Sequence, residues 1–307
     1  MTGIINAIVF CVLVCGAFYT SAFGQSIQTG LAFLKLGAGA DAIARGSAMT
    51  ATATGAEALF YNPAGLAQSS GSSVMMMHNQ NIFGVSNDIL GSAVALGDWS
   101  LGLGIQAASV NGIQIRDAAT DNPIGTFTSI DGALTFGAAV KLSDEVSVGM
   151  NLKALIEKIY INDAFGAVVD FGGIYRPANT NFIFGIALQN IGAMGVLNDE
   201  AVAVPAGIRG GGAYTGTIGA ASNLCTYTAS LDIIKTYADA GFHLLCGVEL
   251  AYNSTFFFRA GYGTGFDASG FSTGVGVKYH FLQFDYALSP YSQQYGTANT
   301  LSIKIDL

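Results

Sequence analysis

Large apolar side chains alternate with small or polar ones, at a period of two residues, from about Ser72 to the end of the chain. The clearest runs lie at 101–106, 182–189, 271–281 and 301–307. A period of two is typical of β-strands, in which successive side chains point to opposite faces. Beyond the N-terminal region, no apolar run reaches the roughly 18 residues that a membrane-spanning helix needs. The pattern predicts an all-β protein and excludes a polytopic helical protein and a coiled coil.

Composition indicates which face of the strands meets lipid. Hydrophobic residues make up 51% of the chain and charged residues 10%, whereas an ordinary soluble domain has about 25% charged residues. The small face of the strands is rich in Gly, Ser and Ala with isolated charges. Small residues suit a crowded barrel interior, so the bulky face has to meet lipid. We therefore predict a transmembrane antiparallel β-barrel in the cell outer membrane, with a soluble β-fold as the alternative.

The barrel is predicted over residues 72–307 with about fourteen strands, an even number as closure of a single chain normally requires. About 235 residues over fourteen strands give roughly 17 each, enough for the ~9–11 that cross the bilayer plus half of each connection. Counts of twelve and sixteen stay open because some boundaries are soft. The predicted strands lie near 73–81, 86–97, 99–110, 128–141, 145–160, 164–175, 181–191, 205–215, 223–234, 241–252, 254–263, 269–281, 282–290 and 298–307.

The connections between these strands alternate between short and long. The short ones are predicted as periplasmic turns, at 98, 142–145 and 177–180. The long ones are predicted as outside loops, at 110–127, 192–204 and 289–298. The first long loop carries Asn111-Gly112 and a later Asp-Asn-Pro run, which are typical turn sequences.

The N-terminus is predicted to be an export signal over residues 1–24. An apolar stretch at 4–19 is followed by small residues at the −3 and −1 positions of a cleavage site after Gly24. No Lys or Arg precedes the apolar stretch, so an uncleaved membrane anchor is the alternative. Cleavage would remove two of the four cysteines. For the other two, Cys225 and Cys246, both a disulfide in an oxidising compartment and two inert thiols stay open.

Residues 25–71 form a separate N-terminal segment that is rich in Ala and Gly and has no alternating pattern. Residues 33–37 are predicted to be extended. Residues 55–63 are predicted to form a short helix that ends at Asn62-Pro63, because proline disfavours helical geometry in the residue before it. The segment is too small to build its own core, so it has to pack inside or against the barrel as a plug.

Two motifs in this segment resemble the N-terminal signature of the PorV/PorQ family, which lies within the broader FadL-like set of outer-membrane barrels. They are Phe-Leu-Lys-Leu-Gly at 33–37 and Tyr-Asn-Pro-Ala-Gly-Leu at 61–66. The resemblance implies a FadL-like barrel of fourteen strands with the plug in its lumen. In FadL-like transporters the plug is a hatch, and apolar ligands leave sideways through a gap in the wall. The motif residues that carry the resemblance are Phe33, Lys35, Gly37, Asn62, Pro63 and Gly65.

Strand parity places a set of charged residues on the lumen face. Charges held away from lipid and bulk water persist when they are paired or solvated, so we predict bridges across the lumen, some of them to the plug. A selective ion path is the alternative, although both signs are mixed. The predicted lumen charges are Asp131, Lys153, Asp170, Arg209, Glu249, Arg259, Lys278 and Asp285, together with Lys141, Asp232, Lys304 and Asp306.

An apolar pocket in the lumen is a further prediction. Phe257 breaks the alternation and is predicted to point inward beside Arg259. Flexible methionine side chains suit variable apolar ligands, although plain packing of the plug against the wall is the alternative reading. The other residues predicted to line the pocket are Met75, Met76, Met77, Phe83 and Leu245.

Charge and motifs exclude several classes of function. The net charge is −8 and the sequence has no basic patch, so no nucleic-acid partner is predicted. No nucleophile constellation, P-loop or metal-binding cluster occurs, so we predict neither an enzyme nor a cofactor.

Two functions remain as predictions for this chain. The first, implied by the PorV/PorQ resemblance, is an accessory of the type IX secretion system that binds secretion-machinery or cargo proteins. The alternative is a FadL-like transporter of long-chain fatty acids or other hydrophobic small molecules, with an apolar ligand in the lumen. Outer-membrane lipid surrounds the barrel in both.

Overall fold

Fourteen antiparallel strands form a closed barrel in this protein. The computed structural model describes residues 30–117, 119, 122–219, 224–237, 241–266 and 270–307. The predicted signal peptide at 1–24 and residues 25–29 of the predicted plug lie outside the described residues. The closed all-β architecture and the strand number confirm the sequence prediction.

Sixteen strands are present in the described residues, of which fourteen belong to the barrel and two, β8 and β9, form a separate short hairpin. They are β1 (Ser73–Gln80), β2 (Val85–Leu96), β3 (Trp99–Ile115), β4 (Gly125–Lys141), β5 (Val146–Ile159), β6 (Asn162–Tyr175), β7 (Phe182–Met194), β8 (Val196–Leu197), β9 (Glu200–Ala201), β10 (Gly207–Ile218), β11 (Cys225–Thr236), β12 (His243–Tyr252), β13 (Phe256–Thr264), β14 (Phe271–Tyr279), β15 (Leu282–Tyr291) and β16 (Gly296–Asp306).

The barrel closes by pairing its first strand with its last. Met77 of β1 lies opposite Ile89 of β2 on one side and Ser302 of β16 on the other. Beyond the strands, the Ser72 N–H donates to the Leu307 carbonyl at 3.1 Å and the Leu307 N–H donates back at 2.8 Å. Both ends of the barrel chain therefore lie at one end of the barrel, which we call the inner end; the opposite end is the outer end.

The outward face is a band of large apolar side chains. Leu103 and Phe184 are 49% and 47% exposed, whereas inward residues such as Ser147 and Asn151 are fully buried. An apolar belt around a closed barrel is the arrangement that a lipid bilayer requires, because closure leaves no unpaired strand edge in the hydrocarbon. The protein is a multi-pass β-barrel of the outer membrane.

The predicted outside loops are shorter in the structure than the sequence indicated. β3 and β4 extend into the predicted 110–127 loop, which leaves only residues 116–124 as the connection between them. The Asn111-Gly112 turn prediction was wrong, because these residues lie within β3, where the register shifts between Val110 and Ile113. Strand pairing gives backbone N–H and C=O groups their hydrogen-bond partners beyond the bilayer as well as within it. The pairing therefore continues past this dipeptide, which forms a bulge in β3 instead of a turn.

The other two predicted long loops also change. The 289–298 connection reduces to residues 292–295 between β15 and β16. The 192–204 connection shifts to 195–206 and contains β8 and β9.

The N-terminal segment lies within the barrel and consists of short helical pieces. They are an α-helix at Ala40–Ala44, another at Ala58–Tyr61, and 3₁₀ turns at Ala32–Lys35, Gly55–Glu57 and Pro63–Gln68. Its buried side chains pack against inward residues of the wall such as Met75, Ile89 and Ala139. In the parts of the chain that the structure describes, no helix is long and apolar enough to cross a membrane.

The orientation of the strand faces predicts unequal effects of two arginine substitutions. Phe184→Arg places a charge on the lipid face, where the cost in folding free energy rises with depth to about 2–4 kcal/mol at the bilayer midplane. Thr215→Arg, on an inward position that lines a lumen cavity, is expected to cost much less. Folding yield into lipid vesicles, measured by heat-modifiable gel mobility, checks this. Equal losses would mean that the faces are assigned the wrong way round.

Candidate functional site

The plug crosses the whole lumen and touches the wall on opposite sides. The Ala40–Ala44 helix packs against β13, β14, β15 and β16. The Pro63–Gln68 turn packs against β4, β5 and β6. Between them, the Gly55–Glu57 turn contacts β1 and β2. The plug is therefore held around most of the circumference of the barrel, and it divides the lumen into two compartments.

Asn62 joins three parts of the structure. Its side-chain amide donates to the Thr50 carbonyl at 2.8 Å and to the Gly173 carbonyl of β6 at 3.2 Å. Its side-chain oxygen accepts from the Ala64 N–H at 3.2 Å, which caps the following turn. Asn62 is fully buried, so the loss of these partners would leave polar groups without water.

Pro63 and Gly65 fit this turn for steric reasons. Pro63 occupies its first position, where an N–H would have no partner within the turn. A β-carbon at Gly65 would collide with the Ala53 carbonyl. Both residues therefore allow the plug chain to fold back closely on itself.

The Phe33–Gly37 motif lies in the outer half of the lumen. Phe33 is buried among Ala108, Leu155 and Val168, and its carbonyl accepts from the Gln106 amide at 3.0 Å. Lys35 lines a cavity near the outer end. A β-carbon at Gly37 would collide with Ile43 and Ser47. The two motifs of the plug therefore contact the wall in different compartments of the lumen.

Most of the predicted lumen charges form ion pairs inside the barrel. Lys153 meets Asp170 at 2.8 Å, and Arg209 meets Asp232 at 3.1 Å. Arg259 bridges Glu249 at 2.5 Å and Asp285 at 2.6 Å. Arg209 also donates to the Ser47 carbonyl of the plug at 2.9 Å. These charges serve as ties within the wall and to the plug, an arrangement that favours closure over an ion path.

The remaining predicted charges differ in position. Lys278 pairs with Asp306 at 2.7 Å at the exposed inner rim, and Lys141 is exposed at the same end of β4. Asp131 lies opposite Glu157 of the neighbouring strand, so that two acidic residues face the outer half of the lumen side by side. These residues lie apart from the central ion pairs.

The plug separates two cavities. The outer cavity measures about 390 Å³, and most of its surface is apolar, from residues such as Leu36, Ile43, Phe60 and Leu245, while Lys35, Arg209 and His243 add charged and polar groups to its lining. The inner cavity measures about 640 Å³ and is lined largely by polar and charged residues, among them Glu57, Glu249, Arg259 and Lys304. An apolar molecule thus finds a suitable surface on the outer side of the plug.

The predicted Met/Phe pocket was wrong as a single site. Met75 and Met77 are buried, but Met76 is half-exposed toward lipid, because three consecutive strand residues cannot share a face. Phe83 is 71% exposed in the β1–β2 connection. Phe257 does face inward, 4.8 Å from the Arg259 guanidinium, but it lines the inner cavity. Leu245 is the one predicted pocket residue that lines the outer cavity.

The barrel wall is interrupted beside the outer cavity. β7 pairs with β6 up to Met194, but within the described residues its pairing with β10 ends at Gln189. The 195–206 connection folds inward instead, and Val202 and Val204 pack on the Phe33 cluster. Residues 190–194 of β7 therefore form a strand edge that β10 does not cover.

A buried polar network holds this interruption. The register of β6 and β7 shifts beside Asp170, and the Asn190 N–H donates to the Asp170 carboxylate at 2.7 Å. The Asn190 side chain accepts from Lys153 at 2.9 Å and donates to the Pro205 carbonyl at 3.2 Å. Next to it, Gln189 donates to the Phe60 and Tyr61 carbonyls of the plug at 3.2 and 3.1 Å. The bulge thus contacts both the plug and the inward-folded connection.

Solved structures show the same fold. The chain aligns with the CymD monoaromatic hydrocarbon channel at a TM-score of 0.58 and 13% identity, over 91% of this chain and 98% of that one. The P. putida toluene transporter TodX gives 0.58 and 12% over 88% and 96%. A Pseudomonas aeruginosa FadL homologue gives 0.53 and 11% over 92% and 99%. No family model matches the sequence, and no curated protein matches it.

These likenesses establish a FadL-like barrel fold. They agree with the FadL-like barrel that the sequence resemblance implied. They do not support membership of the PorV/PorQ family in particular. The structural neighbours are transport channels, which is consistent with a protein that is not an enzyme.

Asn62→Ala is expected to loosen the plug without preventing barrel formation. The substitution leaves the buried Thr50 carbonyl without its donor, and a buried polar group that loses its partner costs roughly 1–3 kcal/mol. Amide hydrogen exchange of residues 50–66, measured by mass spectrometry in detergent, should increase, while exchange of the barrel strands stays unchanged. Thr52→Ala, a partly exposed plug position, serves as the control. Unchanged exchange in Asn62→Ala would show that this side chain does not hold the plug.

Proposed function

We propose that this protein is an outer-membrane channel for hydrophobic small molecules. The observation that carries the proposal is the apolar outer cavity, closed on its inner side by the plug and bordered by the interrupted β7–β10 wall. Gln189, Asn190 and Pro205 line this cavity and also belong to the interruption. The fold shared with channels described as monoaromatic hydrocarbon and toluene transporters supports the same class of ligand.

The proposed path begins at the outer end and avoids the polar inner compartment. An apolar ligand enters the outer cavity, where burial of its surface is worth about 25 cal/mol per Å². From there the polar inner cavity is unfavourable for it, whereas the uncovered edge of β7 leads past Ile191, which is 43% exposed on the outward face of the wall. Movement of the inward-folded 195–206 connection then opens a sideways exit into lipid.

The secretion role expected from the PorV/PorQ resemblance stays a prediction. It requires secretion-machinery or cargo proteins that bind the outer connections. The cavity and the wall interruption support small-molecule passage in preference to it. Surrounding outer-membrane lipid is a partner in both cases and receives the ligand in the proposed path.

Filling the outer cavity is expected to abolish uptake. Ala298 is buried and lines this cavity, so Ala298→Trp occupies it with an indole ring. Ala260, on the outward face of β13, gives the matched control Ala260→Trp. Uptake of radiolabelled toluene and of radiolabelled oleate is measured in Gram-negative cells that lack their own hydrophobic-compound channels. Ala298→Trp should fall to the level of cells without the protein, and Ala260→Trp should behave as the unmodified chain.

The two probes distinguish ligand classes within the proposal. Loss of toluene uptake alone indicates a channel for compact apolar molecules, and loss of oleate uptake alone indicates one for fatty acids. If the unmodified chain raises the uptake of neither probe above background, the channel function is wrong for these ligands. Equal uptake by both tryptophan variants and the unmodified chain would place the route outside this cavity.

A further inference from the structure

A cluster of seven charged side chains joins the plug to the wall at the border of the inner cavity. Asp41 and Arg45 meet at 3.1 Å within the plug, and Arg45 approaches Glu249 of β12 at 4.0 Å. Lys304 of β16 reaches across to Asp41 at 2.7 Å and to Glu57 at 2.9 Å. The seven members, from the plug and then the wall, are Asp41, Arg45, Glu57, Glu249, Arg259, Asp285 and Lys304.

The cluster contains more acids than bases. Among the described residues it has four carboxyl groups and three cations, and all of them are largely buried. A buried charge without a partner is expensive, and an acid in that position takes up a proton instead. The charge balance of the cluster therefore calls for one bound proton.

The geometry identifies where the proton is held. Lys304 lies between Asp41 and Glu57 and contacts one oxygen of each. The other Glu57 oxygen, Oε1, is buried and has no hydrogen-bond partner in the described part of the chain. It lies against Gly39, as does the Asp41 carboxyl, so closely that a β-carbon at Gly39 would collide with both groups. Two carboxyl groups thus share one lysine in a confined space.

We propose that the Asp41–Glu57 pair is a proton-binding site and that its proton fixes the plug in the closed position. This goes beyond the channel function and does not depend on it. The inner cavity, which Asp41, Glu57 and Lys304 all line, gives the site a route to water. When the proton leaves, the plug side of the cluster gains a buried negative charge, and the plug is held less firmly.

The electrostatics of the two acids agree with this assignment. Burial, followed by repulsion from Asp41, raises the pKa of Glu57 to about 8 in spite of Lys304 and Arg45. Burial alone would raise the pKa of Asp41 as well, but Lys304, Arg259 and Arg45 together hold it well below its usual range. Asp41 therefore stays ionised, and Glu57 carries the proton at neutral pH.

Outside the cluster, the charged groups of the described residues that line the inner cavity together with Glu57 are Arg176 and Asp306, and Asp306 is paired with Lys278 at the inner rim. The inward residues of β1 beside Glu57 are Ser73, Met75, Met77 and Asn79, and those of β2 and β3 are likewise uncharged. Tyr61 of the plug is the remaining titratable neighbour, and burial raises its pKa to about 12. Tyr61 is thus neutral throughout the range in which Glu57 titrates.

The sign of the pH dependence follows from the bound proton. The closed plug binds one more proton than the released plug between the ordinary glutamate pKa, near 4.5, and about 8. The closed state therefore becomes less stable relative to the released state as the pH rises through this window, by up to about tenfold in the equilibrium constant per pH unit. Above about pH 8 the dependence levels off.

Hydrogen exchange of residues 39–61 tests the proposal. With exchange corrected for the intrinsic pH dependence of amides, protection in the unmodified protein should fall between pH 5.5 and 8. Glu57→Gln, which mimics the protonated acid, should keep high protection without this slope. Asp41→Asn should also lose the slope, because Glu57 then ionises in a balanced cluster. Asp144→Asn, in an exposed turn, is the control and should match the unmodified protein.

Infrared spectroscopy gives an independent measurement on the unmodified protein. The band of protonated carboxylic acids should be present at pH 7 and should lose the intensity of one carboxyl group with a midpoint near pH 8; in Glu57→Gln at pH 7 it should be weaker by that same intensity. Absence of the band at pH 7 overturns the proposal even if the variants fail to fold. A wild-type slope of protection in Glu57→Gln overturns it as well.

Discussion

The need to pair every backbone polar group in lipid governs this structure. Within the hydrocarbon an N–H or C=O has no water to bind, so a sheet has to close on itself. Closure between β1 and β16 meets that need, and it creates a lumen that must then be filled or kept open. The plug fills it with short helical pieces, whose free backbone groups bind inward side chains such as Gln106 and Asn151. The small residues of the inner face make room for these pieces.

The same requirement explains why the wall interruption is built from polar residues. Where β7 leaves β10, the bulge at Asn190 would expose backbone groups to an apolar environment. Asp170 accepts the Asn190 N–H, and Lys153 neutralises the Asp170 carboxylate. A buried pair of this kind adds little stability over apolar packing, but the loss of one partner is strongly destabilising. The main effect of the network is therefore to fix the position at which the hydrogen-bonded pairing of β7 with β10 ends, and it adds little to the stability of the barrel.

The sequence contained enough information for the strands and for the plug motif, and much less for contacts across the lumen. Alternation at a period of two assigns each side chain to a face, as at Phe184, because the direction of a side chain in a strand depends only on the local strand geometry. The Asn62-Pro63 end of the helix was predictable for the same local reason. The partners of Lys304 and Glu57 depend on how the plug folds between distant strands, so parity identified Lys304 as a lumen charge and left its partners open. Glu57 lies in a short turn without any period, and nothing in its local sequence marks it as buried.

Polar ties and apolar packing have different consequences for a plug that has to be both closed and movable. Apolar contacts such as those that Leu59 and Leu66 of the plug make in the core between plug and wall are non-directional and survive small displacements. Hydrogen bonds such as those from Gln189 to the Phe60 and Tyr61 carbonyls depend steeply on geometry. A shift of the Ala58–Tyr61 helix by an ångström or so breaks the polar ties while most apolar contacts persist. Because Gln189 adjoins the Asn190 bulge, such a shift reaches the wall interruption directly, without any rearrangement of the barrel ladder.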